Sequence, residues 1–86
     1  MDINQLIKIV KKKISENIKV ENIEIEDKTF LHKKHDSHQK GKYHLKLIIS
    51  SEELNSKNKI ESTRLIYRII DTEISKYIHS LQILIN

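Results

Sequence analysis

Apolar residues recur along the chain with two different periods, and the switches between them divide it into elements. Ile3, Leu6, Ile7, Val10, Ile14 and Ile18 follow three- and four-residue steps. That is one face of an α-helix, and it predicts a helix over about 3–17. Asp2 stands before it with Gln5 three residues on, the spacing of a reciprocal capping box. Lys11, Lys12 and Lys13, toward the end, suit the negative pole of the helix dipole. Over 20–26 the period falls to two: Ile23 and Ile25 alternate with Glu24 and Glu26, as in a half-buried strand. Residues 43–50 repeat the pattern, with Leu45, Leu47 and Ile49 on one face and His44, Lys46 and Ile48 on the other. Ser50 or Ser51 opens a short capped helix that reaches Leu54. After a turn, Asn58 is placed to cap a helix over about 59–76. Its apolar stripe is Ile66, Tyr67, Ile70 and Ile74, widened by Leu65 and Ile69. Over 77–85 the set containing His79, Leu81, Ile83 and Ile85 and the set containing Ile78 and Leu84 are both largely apolar. This predicts a strand buried on both faces at the centre of the sheet, with His79 sharing a face with Leu81 and Ile83.

The order is therefore αββααβ. Helices on one face of a three-stranded sheet bury these stripes economically. The first two strands should pair antiparallel, and the last, arriving by a helical crossover, can pair in parallel. The expected class is α+β with a mixed sheet, in one domain over 1–86. An 86-residue chain supports one thin core and no roofed cavity with a second domain. With one Gly and no Pro it cannot be a turn-dense sandwich or barrel. The absence of Cys removes a disulfide framework, a cysteine nucleophile and a thiolate metal site made by this chain alone. No run approaches the length of a membrane span, and the first residues do not resemble a signal or transit peptide. The expected location is cytoplasmic, with mitochondrion and nucleus as alternatives.

Charge changes the picture in one place. Residues 1–27 hold five Lys against six acids, a net −1, and residues 47–86 balance five bases with five acids. Residues 28–46 hold six Lys against Asp36, a net +5. The chain's excess is one segment, and its part over 28–42 reads as a long loop between the first two strands. Such a segment attracts nucleic acid, an anionic surface or an acidic partner, or is simply a solvated loop. It also carries histidines: His32, His35 and His38 lie three apart, His44 follows, and His79 stands alone near the start of the last strand. Imidazole is the commonest neutral metal ligand. The loop histidines read equally as solvated side chains, and His79 as a buried histidine satisfied by a backbone hydrogen bond. A phosphate-cradling loop needs more than one Gly, and the carboxylates are scattered, so an enzyme is not expected.

Three segments are together similar to the BolA family. The stretch Ile78-His79-Ser80-Leu81 resembles that family's hydrophobic-His-Ala-Leu start of its last strand. Asp27-Lys28-Thr29-Phe30-Leu31-His32 resembles its Asp-x-Ser-x-x-His segment, and Tyr43-His44-Leu45 its Ser/Thr-His-Phe strand opening. The resemblance runs over about 3–85 and implies an αββααβ fold like a class II KH domain. It implies a non-enzymatic adaptor that is a monomer when free and a heterodimer with a monothiol glutaredoxin. The pair would share a [2Fe–2S] cluster with glutathione, in iron–sulfur cluster assembly or iron regulation. His79 corresponds to the family's C-terminal histidine ligand, and His32 to its loop ligand. The loop is longer than usual, lacks Pro and has extra histidines, which leaves His35 or His38 as alternative loop ligands. Where the family often has Phe-x-Gly this chain has Leu54-Asn55-Ser56, and of an Arg-His-Arg cluster only Arg64 remains. The alternative function is a nucleic-acid-binding transcriptional regulator using Lys33, Lys34, Lys40, Lys42 and Arg64. Against it, a KH domain clamps the backbone with a GXXG loop, which a chain with one Gly cannot supply.

Overall fold

The computed structural model describes residues 1–29 and 42–86. Its elements are α1 (Ile3–Asn17), β1 (Asn22–Asp27), β2 (Tyr43–Ser50), α2 (Glu52–Asn55), α3 (Lys59–Ile69), α4 (Asp71–Lys76) and β3 (Ile78–Ile85). The strands form one sheet in the order β1-β2-β3, with β1 antiparallel and β3 parallel to β2. The fold is α+β, with the helices and one sheet face enclosing the core.

Local chemistry accounts for most of the boundaries. Asp2 Oδ1 accepts from the Gln5 backbone N–H at 2.8 Å, and Gln5 Oε1 accepts from that of Asp2 at 3.3 Å, closing the box that starts α1. Leu6, Val10 and Ile14 on its inner stripe are buried. The helix does not use its lysines at the C-terminal pole; its last turn holds no base. Lys13 instead donates to both carboxylate oxygens of Glu73 on α4, at 2.7 and 3.0 Å. The Glu73 side chain is only 6% exposed, so the ammonium satisfies a carboxylate that would be expensive to bury alone.

Two expectations are corrected. The central strand is β2, not the last one. β3 leaves its crossover on the side of β2 opposite β1 and becomes an edge, with the outward residues Gln82 and Leu84 exposed. Leu45, Leu47 and Ile49 of β2 lie between Ile23 and Ile25 on one side and Leu81, Ile83 and Ile85 on the other. The expected helix over 59–76 is also two helices. Ile70, at φ −109° and ψ 28°, breaks the run, and Asp71 restarts it. The break keeps Ile66 and Ile70 fully buried while α4 turns toward β3. Tyr67 falls outside the core stripe, and its hydroxyl donates to the Leu81 carbonyl on the free edge of β3 at 3.3 Å.

Ser51 does two jobs. Its Oγ accepts from the Leu54 backbone N–H to cap α2, and donates to the Lys19 carbonyl at 2.7 Å, tying the end of β2 to the approach of β1. The side chain is buried, so removing it leaves the buried Leu54 N–H without its cap and breaks the tie to Lys19. Ser51→Ala is expected to destabilise the fold by about 2 kcal/mol, against about 1 for Asn58→Ala, an exposed cap of α3. Urea midpoints at an unchanged slope measure both, and equal losses would contradict the double role.

Candidate metal centre

β3 starts directly at the end of α4, where the Tyr77 carbonyl accepts from the Tyr43 N–H at 2.8 Å. The ladder then slips: Tyr43 is opposite Ile78, but His44 is opposite Ser80. His79 is therefore an extra residue on β3, the local irregularity of a β-bulge. Its effect on side-chain direction is large. Ile78 is buried beneath the sheet and Leu81 packs against the same core, while His79 and Ser80 between them are both exposed. Uninterrupted alternation places His79 with Leu81 and Ile83. The bulge turns it out instead, so it is neither a core histidine nor a neighbour of those residues.

Among the described residues the buried histidine is His44, at 6% exposure, although it sits on the outward face of β2. Its ring meets that of His79 edge-on, with centroids 4.9 Å apart and planes at 61°. Its Nδ1 shares a 2.6 Å hydrogen bond with Ser80 Oγ. Its backbone N–H donates to Thr29 Oγ1 at 3.1 Å, its carbonyl accepts from the Lys28 N–H at 2.7 Å, and Thr29 in turn bonds to Asp27. A shallow depression of about 280 Å³ is lined by His44 and Ser80 together with Lys28 and Lys46. Sequence reading assigned His44 no role. Strand parity marked it as outward-facing, and its burial comes from Thr29, which the pairing of β1 with β2 brings near, and from Ser80 and His79, which the pairing of β2 with β3 brings near.

His32, His35 and His38, with Lys33, Lys34 and Lys40, lie outside the described residues. The ends of their segment are described, and both lie at the His79 end of the sheet. Thr29 is bonded to His44, and Lys42, next to Tyr43, reaches the Ser75 carbonyl of α4 at 3.4 Å. Arg64 is on α3, sharing a surface depression with Lys57, Glu61 and Arg68. Among the described residues no group of three or more His, Asp or Glu is placed to hold a metal ion. A complete centre at His79 would draw its remaining ligands from segment 30–41 or from another molecule. As a single ligand His79 is suited, being an exposed imidazole on a strand rather than on a loop.

A family profile described as BolA-like protein matches residues 14–86. The chain belongs to the BolA family. Among solved structures it is similar to the BolA domain of SufE1 from Arabidopsis thaliana, at 25% identity and TM-score 0.76, covering 92% of this chain and 87% of that one. BolA1 from the same plant matches at 21% identity and TM-score 0.75, with the same coverage. BolA1 of Mus musculus matches in fold at 15% identity and TM-score 0.73, over 92% of this chain and 62% of that one. No curated protein matches the sequence. BolA-like proteins are in general not enzymes. No helix among the described residues is long and apolar enough to cross a membrane.

Proposed function

We propose that this BolA-family chain is a non-enzymatic adaptor that binds a monothiol glutaredoxin and contributes two imidazoles to a [2Fe–2S] cluster shared between the two proteins. One is His79 and the other a histidine of segment 30–41, with His32 preferred. The observation that carries the reading is the bulge at His79, which turns an imidazole out of a largely apolar strand at the end of the sheet where that segment is anchored. Bulges commonly re-aim a side chain beside a functional site.

Chain length supports the choice of His32. An extended chain advances about 3.3–3.6 Å per residue, so three residues past Thr29 span at most about 11 Å. Thr29 is bonded to His44, whose ring touches that of His79. His38, four residues before Lys42, can span about 14 Å by the same rule and His35 more, but the shortest tether that reaches gives the highest effective concentration at the site, which favours His32. A chain without Cys needs thiolates from elsewhere, and a partner cysteine with glutathione would complete the set. Two imidazoles in place of two thiolates on one iron give the bound cluster a higher reduction potential. Lys28, Lys42 and Lys46 around this end would attract the carboxylates of glutathione and of an acidic partner surface.

The test mixes the protein with a cluster-loaded monothiol glutaredoxin. The expected result is a changed visible absorption and circular dichroism together with a heterodimer on gel filtration. Spectra that merely add, with no complex, would overturn the reading.

A further inference from the structure

We infer that His44, held by Ser80, is a positioning residue that fixes the orientation of the His79 ring. The inference rests on the reading of His79 as a ligand, but the geometry behind it is separate. An exposed histidine on an edge strand ordinarily samples three χ1 wells and a roughly two-fold χ2. His79 is exposed, yet one side of its ring is met by His44. His44 is itself immobilised from several directions. It is buried, its backbone N–H and carbonyl are bonded to Thr29 and Lys28, and its Nδ1 is bonded to Ser80 Oγ. Ser80 is the residue next to His79, on the same side of the bulge. The hydrogen bond that holds His44 therefore also holds the bulge that turns His79 outward. A ring fixed by a neighbour that is itself fixed is how binding groups are kept in a productive geometry.

The size of the effect follows from counting orientations. If one of about six ring orientations can bind, freeing the ring lowers the apparent affinity for anything bound through it by up to about sixfold. Ser80 is exposed but its partner His44 is buried, so Ser80→Ala should lower stability modestly while the chain still folds.

The experiment uses isotope-labelled full-length protein. In the wild type, side-chain couplings should show one His79 χ1 rotamer, and cross-relaxation should connect the His44 and His79 rings. In Ser80→Ala the His79 couplings should average and the ring contact should weaken. Affinity for the cluster-loaded glutaredoxin should fall about three- to sixfold. Ser80→Thr, which keeps the hydroxyl, should restore both. His44→Leu, which keeps bulk but removes the ring, should match Ser80→Ala; if that variant fails to fold, the Ser80 pair decides alone. An averaged His79 rotamer in the wild type, or an unchanged one in Ser80→Ala, overturns the proposal. If the ring responds as stated but His79→Ala leaves the glutaredoxin complex intact, the cluster reading fails and the positioning of His79 stands.

Discussion

His79→Ala should weaken the cluster-bridged complex with a monothiol glutaredoxin by at least about a hundredfold. Loss of a partner hydrogen-bonded to a metal ligand, which tunes its basicity as well as its orientation, costs tenfold to a hundredfold, and loss of the ligand itself should exceed that. The substitution should leave the fold almost untouched, because His79 is exposed and surface changes usually stay within about 0.5 kcal/mol. This separation makes the result interpretable: the spectrum of the shared cluster should collapse while the thermal midpoint of the free protein stays in place. His32→Ala should act nearly as strongly, and His35→Ala much less. If His38→Ala abolishes the complex while His32→Ala does not, the loop ligand is reassigned. If His79→Ala and His35→Ala act equally, the assignment of His79 fails. The complex should be measured at a fixed concentration of glutathione, since mass action from a third component shifts every apparent affinity.

The second large effect concerns stability. Leu47 is fully buried in the central strand, opposite Ile25 on one side and Ile83 on the other. Truncating it leaves a cavity bounded by two strands and the helices above them, which limits collapse. Leu47→Ala is expected to cost about 3–4 kcal/mol. A domain of this size has only about 5 kcal/mol or somewhat more to lose. The melting temperature should fall by about 15–25 °C. Leu84, 45% exposed on the outward face of β3, is the control: Leu84→Ala should change stability by no more than about 0.5 kcal/mol. The two residues look alike in the sequence, each a leucine inside an apolar run. A comparable loss from Leu84→Ala would mean that something covers the outer face of the sheet, contrary to the architecture described.

The element positions follow from local physics and were readable in advance. The three- and four-residue spacing from Ile3 to Ile14 and the Asp2–Gln5 box define α1 at both ends, because a helix needs nothing beyond its own stripe and caps to be recognised. The alternation of Leu45, Leu47 and Ile49 gave β2 its limits for the same reason. Asn58 caps the helix it was expected to cap, and of the two serines that could open the short helix it is Ser51 that does so. His79 was singled out by its company, an imidazole inside an apolar strand.

The central strand was misread because periodicity reports how apolar each face is and says nothing about lateral neighbours. Ile78 and Leu84 made β3 look two-sided, yet one of them is buried by the bulge and the other is exposed. The break at Ile70 escaped because both α3 and α4 keep helical spacing, and only the turn needed to reach β3 separates them.

What the sequence determined by itself was therefore the set of elements, the α+β class and the residue on which the proposed function rests, since these depend on interactions within a few residues. Tertiary structure alone decided which strand lies in the middle, which way His79 points, and that His44 and Ser80 stand beside it. A single inserted residue in a parallel ladder reverses a side chain's face, and that insertion exists only relative to a strand more than 30 residues away.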